Sequence, residues 1–218
     1  MGESKRKKQL HIQPDRGPWL HGTKTKFDTW TVPPPKKFED PLAVAHSAVF
    51  FTKHHAFAAD VGHLICTSYL NPDALVLNPC VPSQASDELR MLLLKQMGVR
   101  ECYWLHDEIT WRHSWITGDV MRFASTNKRF NDTLLISAMT QLKRIAPNLS
   151  PAQLSDRAGH NITRGWIEEI IKAARTFGFD ALQGHEIDRH TSAAPPLSRP
   201  WMAVFNSSCL TAPVWESM

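Results

Sequence analysis

The sequence predicts an α+β fold, because strand-like segments stand at both ends of the chain and helix-like segments lie between them. From residue 17 to residue 82, short apolar runs are broken by turn residues, as in a sheet. Residues 85 to about 160 form a helical insertion, and short apolar runs return after residue 178. With 42% apolar residues and eight Trp, the 218-residue chain can bury one substantial core. We therefore predict a flexible basic arm over residues 1–16 and a single domain over residues 17–218.

The N-terminal half of the domain begins with short strands. The strand-like runs cover residues 19–21, 48–52, 65–70 and 74–77. Prolines in residues 33–37 indicate a loop, because proline cannot donate a ladder hydrogen bond. Residues 54–60 indicate a short helix, and Asn71-Pro72-Asp73 is a tripeptide typical of turns.

The middle of the chain is predicted to be helical, and the chain closes with two strands. The helix-like runs cover residues 89–97, 131–146 and 163–176. Ser86 is the predicted N-cap of the first, and Ser150-Pro151 indicates a further helix start. The run 163–176 carries apolar residues on one face, and Gly178 stands where a left-handed C-terminal cap is expected. Closing strands are predicted at residues 179–182 and 202–205.

The net charge of +4 comes mainly from the N-terminal arm, where the run Lys5–Lys8 outweighs Glu3. Such an arm can make weak contacts with nucleic-acid phosphates, although basic termini are more often simply solvated. The N-terminus lacks the apolar segment of a signal peptide, and no apolar run approaches the ~20 residues that span a membrane. We expect a cytoplasmic protein, or one that is injected or secreted without a conventional signal peptide.

Several common motifs are missing from the sequence. The four cysteines form no Cys-x-x-Cys pair, which favours reduced thiols over a disulfide frame. His46, His54, His55 and His63 crowd one region without a zinc spacing, so no metal is predicted. No Gly-x-Gly-x-x-Gly is present, which disfavours a Rossmann dehydrogenase. The tryptophans of residues 104–115 are predicted to be core residues.

Two short segments carry the strongest functional signal. Trp19-Leu20-His21-Gly22-Thr23 is followed about 25 residues later by Ala48-Val49-Phe50-Phe51-Thr52. Together they resemble the NAD-binding strands of the ADP-ribosyltransferase family, which carry a His-Gly-Thr and a Tyr-Phe-Thr-like run. Residues 17–24 are especially similar to the rifamycin-modifying bacterial enzymes of that family. Alone, the first segment also reads as an ordinary strand end and the second as a buried strand.

The resemblance implies a role in NAD binding for each matched residue. His21 and Thr23 would hold the ribose, because a neutral imidazole can bind a hydroxyl while its other nitrogen is fixed by the backbone. Gly22 would let the main chain approach the carboxamide. Phe50, in the run with Phe51, would stack on nicotinamide, although the family usually has Tyr there. Thr52 would lie near the ribose. A second aromatic ring is usual where Val61 stands, and Phe57 is the candidate to replace it.

The acidic residue of the family is missing from its usual position. Residues 176–182 and 203–206 resemble the family's last helix-to-strand segment and closing strand, but Trp201 stands where many members have glutamate. Glu186 or Asp188 could approach the same ribose from another direction. The enzyme could instead work without a glutamate, or the site could be inactive. We take Glu186 as the candidate catalytic acid beside His21; its simpler interpretation is a surface carboxylate.

The resemblance implies a mono-ADP-ribosyltransferase with a split antiparallel β-sandwich and a helical insertion. NAD would be the cosubstrate, and the acceptor could be a protein, a nucleic acid or a small molecule. A bacterial or phage toxin or effector fits this description. Two alternatives remain open: a catalytically inert module that binds NAD, ADP-ribose or a protein, and an RNA 2′-phosphotransferase, for which Arg16 and Arg199 are the candidate phosphate ligands.

Overall fold

A computed structural model describes residues 15–35, 42, 44–97, 107–121, 128–187 and 198–216. The predicted arm lies outside these residues except for its last two, and so do Lys5–Lys8 and Asp188. The described strands and α-helices are, in chain order, β1 (Trp19–Thr23), β2 (Val49–Thr52), α1 (His55–Val61), β3 (Leu64–Ser68), β4 (Val76–Leu77), α2 (Gln84–Met97), α3 (Glu108–Thr117), α4 (Lys128–Ile145), α5 (Pro151–Thr176), β5 (Ala181–Ile187), β6 (Ser198–Val204) and β7 (Val214–Trp215).

The strands form one mixed seven-stranded sheet in the order β4-β5-β6-β2-β1-β3-β7. The predicted α+β class is confirmed. Neighbouring strands are antiparallel except β4 and β5, which are parallel, so the sheet is mixed where an antiparallel one was expected. The reason is the connection: helices α2 to α5 carry the chain from β4 to β5, and parallel neighbours require such a long crossover.

β1 and β2 lie side by side near the middle of the sheet, and fewer residues pair between them than between β1 and β3 or between β2 and β6. We call this short junction the β1–β2 seam. Within these fully described strands, Leu20 opposite Thr52 is the single paired position. By contrast, β1 pairs with β3 over its whole length, from Trp19 to Thr23. The two segments that carry the family resemblance therefore lie side by side but are joined at one point.

The sheet has two buried faces, because side chains of successive residues point to opposite sides. On the helical face, Phe50, Leu182 and Ala203 pack in one cluster with α2, α3 and α5. Phe51 and Met202 belong to a second cluster on the opposite face. Trp111 and Trp115 of α3 are fully buried on the helical face, which confirms these two predicted core tryptophans.

The helix predicted at residues 163–176 is the end of the much longer α5, which begins at Pro151. Ser150 is its N-cap, and the side chains of Ser150 and Gln153 each accept from the other's backbone N–H. Gly178 ends the helix at φ 80°, the left-handed conformation expected for a C-terminal cap. The helix start predicted at Ser150-Pro151 and the helix predicted at residues 163–176 therefore belong to one continuous helix.

The predicted N-cap of α2 is wrong. The helix begins at Gln84, two residues before Ser86. Ser86 is buried, and its hydroxyl donates to the carbonyl of Pro79 and accepts from Trp111 Nε1. A buried tertiary partner has replaced the local capping role that the sequence indicated. None of the described helices combines the length and the apolar character needed to cross a membrane.

We expect Ser150→Ala to lower the free energy of unfolding by about 1 kcal/mol, because it removes one half of the capping box of α5. Urea denaturation measures this change. Ser155→Ala is the matched control, since it makes the same chemical change inside α5 and should be neutral or slightly stabilising. Equal losses in both variants would contradict the capping role.

Candidate functional site

His21 is held by the backbone of the neighbouring strand. It lies in the middle of β1, and its Nδ1 is 2.8 Å from the carbonyl oxygen of Phe50 in β2. A carbonyl oxygen can only accept a hydrogen bond, so Nδ1 carries the proton. In the neutral ring, Nε2 is then the nitrogen that accepts hydrogen bonds.

This contact occurs where β1 and β2 stop pairing. Continuing the antiparallel register from Leu20 opposite Thr52 would place Gly22 opposite Phe50. The carbonyl of Phe50 instead accepts from the His21 imidazole. The side chain thus takes the place of a ladder hydrogen bond and fixes the ring at the seam.

Aromatic rings surround His21 on the opposite face of the sheet. The centroid of its ring lies 5.6 Å from that of Phe51, 5.3 Å from Trp30 and 6.2 Å from Phe27. Trp30 and Phe27 come from the segment that follows β1. Our sequence analysis missed both, because they lie outside any strand or helix pattern and are placed by tertiary packing.

Gly22 and Thr23 occupy tightly packed backbone positions. A Cβ on Gly22 would lie 1.8 Å from the carbonyl oxygen of Ala58 in α1, so the helix packs directly on this glycine. Similarly, a Cβ on Gly62 would lie 2.3 Å from the backbone of Thr23. The absence of a side chain at Gly22 is therefore required by packing, whatever its role towards a ligand.

The ring of Phe50 lies on the helical face, away from the His21 ring. Its centroid is 4.9 Å from that of His46 and 5.4 Å from that of Trp201. The guanidinium carbon of Arg164, from α5, lies 5.4 Å from the same centroid. The carbonyl of Phe50 thus binds the His21 ring, while the side-chain ring of Phe50 lies on the helical face against the guanidinium of Arg164.

Two further predicted binding residues are enclosed by the protein. Thr52 is 4% exposed, and its hydroxyl donates to the carbonyl of Pro200 and accepts from the N–H of His54. Phe57 is 8% exposed within α1, whereas Val61 on the same helix is 53% exposed. Val61, which stands where the family usually has a second aromatic ring, is therefore at the surface, and Phe57, the candidate to replace that ring, is buried.

Glu186 lies on the helical face, three strands from His21. It stands opposite Arg199 in the β5–β6 pair, and following the register across β6 and β2 places it on the same face as Phe50. Burial lowers the pKa of Arg164, and the charge of Glu186 opposes this shift, so these two charges are neighbours. At roughly 4.8 Å per strand, β5 and β1 are about 14 Å apart. The structure therefore groups Glu186 with Phe50, not with His21.

The position at which many members of the family carry glutamate is occupied here by a buried core residue. Trp201 is 2% exposed and pairs with Thr52 across β2 and β6. Of the two arginines considered for phosphate binding, Arg16 donates to the carbonyl of Asn71 in the turn before β4. Arg199 stands opposite Glu186 on β6.

A polar cluster around Arg164 was missed by our sequence analysis. Nη1 of Arg164 is 3.2 Å from Nδ1 of His46, and an arginine can only donate, so His46 is neutral with its proton on Nε2. Burial, with smaller contributions from Arg164 and His160, lowers the pKa of His46 to about 4. The sequence does indicate this cluster, because His160, Arg164 and Glu168 are four residues apart and therefore lie on one face of α5.

The same helix holds the segment that leads into β2. A carboxylate oxygen of Glu168 accepts from the N–H of Ser47 at 3.0 Å, and Arg175 donates to the carbonyl of Ser47 at 2.8 Å. Asn161 donates to the carbonyl of Leu42. These contacts fix the entry to β2 and hence the position of the Phe50 carbonyl that binds His21.

His46 is expected to make stability depend on pH. The unfolded chain takes up its proton near pH 6.5 and the folded chain near pH 4. Between these values the unfolded state binds more protons, so the free energy of unfolding falls as the pH is lowered, by up to about 3 kcal/mol.

His46→Asn keeps an acceptor for Arg164 but cannot titrate, so it should flatten this dependence between about pH 6.5 and about pH 4. Denaturation curves across that range measure the effect, with the exposed His63→Asn as control. An unchanged dependence in His46→Asn would contradict the assignment.

Two further histidines of the crowded region lie at the surface. His55 is paired with Glu216 at 2.9 Å, and His63 is exposed. Within the part of the chain that the structure describes, no three His, Cys, Asp or Glu side chains are placed to hold a metal ion. A surface groove lies elsewhere on α2, and none of the predicted site residues contributes to it. Its lining residues are Gln84, Asp87, Glu88, Met91, Leu92, Lys95 and Phe177.

Comparison with known protein families, with curated proteins and with solved structures found no match to this chain.

Proposed function

We propose that this protein is a mono-ADP-ribosyltransferase, which cleaves NAD between nicotinamide and ribose and transfers ADP-ribose to an acceptor. The observation that carries the proposal is the His21 imidazole at the β1–β2 seam, with Nδ1 bound to the Phe50 carbonyl. This contact orients the ring and makes Nε2 the acceptor for a ribose hydroxyl. It is the arrangement that the matched His-Gly-Thr and Phe-Phe-Thr segments imply.

The proposed reaction breaks the bond between C1′ of the ribose and the pyridinium nitrogen. Both bonding electrons leave with the nitrogen, so nicotinamide departs as a neutral molecule. The sugar passes through an oxocarbenium-like state, as in glycoside hydrolysis. A nucleophilic atom of the acceptor then bonds to C1′ and its proton passes to solvent. His21 would act by holding the ribose in the reactive orientation.

The sheet topology supports the finer fold assignment that we propose, a split β-sandwich. One half consists of β1, β3 and β7, and the other of β2, β6, β5 and β4. The halves are joined where Leu20 faces Thr52. A cleft at this seam would place His21 at its border, as the proposed activity requires.

A second candidate function is a catalytically inert module that binds NAD or ADP-ribose. It is favoured by the placement of the acids: Trp201 fills the usual position within the core, and Glu186 lies about 14 Å from β1. Under this alternative His21 would still bind the ribose, but nicotinamide would stay attached.

Transfer from labelled NAD separates these functions. NAD carrying its label in the adenosine half is incubated with purified protein, with and without cell lysate. The proposed function predicts free nicotinamide together with a labelled acceptor, and a dehydrogenase would instead form NADH without free nicotinamide. Binding of NAD that leaves it intact under all conditions would establish the inert module.

A further inference from the structure

Both polar groups of the Ser47 backbone are bound by side chains of α5. The N–H of Ser47 donates to a carboxylate oxygen of Glu168 at 3.0 Å, and its carbonyl accepts from Nη2 of Arg175 at 2.8 Å. Glu168 and Arg175 are seven residues apart, so they project from the same side of the helix. Ser47 comes two residues before β2, and the helix therefore holds the chain just before it enters the sheet. We call this arrangement the Ser47 clamp.

The carboxylate of Glu168 is kept in this position at a cost to stability. Its Oε1 is buried and has no hydrogen-bond partner among the residues that the structure describes. A buried acceptor without a donor is unfavourable, and more so when it belongs to a charged group. Proteins accept such costs mainly at functional sites. The geometry of Glu168 therefore indicates a role beyond packing.

The β1–β2 seam depends on support from outside its own ladder. Leu20 opposite Thr52 is the single paired position between these two strands. The 2.8 Å contact from His21 Nδ1 to the Phe50 carbonyl lies beyond that position, so no second ladder pair sets its length. Pairing with β6 holds β2 on its other side. The clamp adds a fixed point at the start of β2, three residues before Phe50.

We propose that Glu168 and Arg175 are positioning residues for the transferase reaction. They act through the backbone of β2 on the His21 imidazole, and this role rests on the proposed function. By fixing the start of β2, the Ser47 clamp keeps the Phe50 carbonyl within hydrogen-bond distance of Nδ1 and thus keeps the proton on that nitrogen. Both side chains belong to α5 on the helical face, whereas the His21 ring lies on the opposite face. Their effect is therefore transmitted through the strand.

The tautomer of His21 is a readout of this role that requires no NAD. The protonated and unprotonated nitrogens of a neutral imidazole are resolved in ¹⁵N NMR spectra, and His21→Asn identifies the signals of this ring by their loss. The wild-type protein should carry the proton on Nδ1. Glu168→Ala should give a mixture of the two tautomers. Glu168→Gln keeps an oxygen acceptor for the Ser47 N–H and should restore the single tautomer.

The neighbouring glutamate provides the matched control. Glu169→Ala removes an exposed carboxylate from the same helix and should leave the His21 signals unchanged. Arg175 provides a second variant, on the other side of the Ser47 peptide. Arg175→Met should mix the tautomers, whereas Arg175→Lys keeps a donor for the carbonyl and should preserve the single tautomer. A single Nδ1 tautomer in folded Glu168→Ala and Arg175→Met would overturn the proposal.

Nicotinamide release is measured on the same samples. In Glu168→Ala, kcat/KM should fall roughly tenfold, and it should recover in Glu168→Gln. Mixed tautomers with wild-type release would refute a role of the Ser47 clamp in the reaction. A wild-type protein that holds the single tautomer but releases no nicotinamide would refute the transferase, and the tautomers of the variants would then decide alone whether the Ser47 clamp positions His21.

Discussion

Replacing His21 by alanine is expected to reduce nicotinamide release from NAD by at least roughly 100-fold while leaving the protein folded. The imidazole is fixed by the Phe50 carbonyl and sits at the β1–β2 seam, so its removal takes away the group that would orient the ribose. Because positioning affects binding and rate together, both KM and kcat should change. Steady-state release of nicotinamide measures both constants.

Two variants make this result specific. His63→Ala removes an exposed histidine after α1 and should leave release unchanged. His21→Asn retains a side chain that can donate to the Phe50 carbonyl, so it should preserve the seam better than alanine while still lacking the imidazole Nε2. Full activity in His21→Ala would contradict the assignment of His21.

Gly22→Ala is expected to lower the free energy of unfolding by about 3 kcal/mol or more. The added Cβ would lie 1.8 Å from the carbonyl oxygen of Ala58 and 2.7 Å from its carbonyl carbon. These are backbone atoms, so a side-chain rotation cannot relieve the clash and α1 must move away from β1. Thermal or urea denaturation measures the loss.

The control substitutions are expected to raise the free energy of unfolding instead of lowering it. At Gly159 and Gly165 of α5, an added Cβ has no neighbour within 4 Å. Alanine at either position should therefore stabilise the protein by about 0.5 to 1 kcal/mol, because glycine is unfavourable inside a helix. If Gly22→Ala were as stable as Gly159→Ala, the close packing of α1 on β1 would be refuted.

Local sequence patterns were sufficient for the elements whose signals are local. The apolar face of the 163–176 run, the Ser150 cap and the turn at Gly178 all occur in the structure. Pro151 stands at the first helical position, where proline is tolerated, and from there to residue 163 the sequence contains no helix breaker stronger than Gly159, so two predicted helical segments are one helix. The strand β7 was missed because its two residues, Val214 and Trp215, are too few to show a period.

The arrangement of the candidate site depends on register and tertiary packing. Phe50 and Phe51 are adjacent in sequence, so their rings must point to opposite faces of β2, and only the register decides which one lies beside His21. The segment matches alone could not show that Arg164 would cover the ring of Phe50. Likewise, the separation of Glu186 from His21 follows from the strand order, which no local pattern encodes.

Release of free nicotinamide from NAD by the purified wild-type protein tests the central claim most directly. The proposed function predicts release that grows with time and protein concentration, without formation of NADH, and that increases when lysate supplies an acceptor. A folded protein that leaves NAD intact, both alone and with lysate, would contradict it.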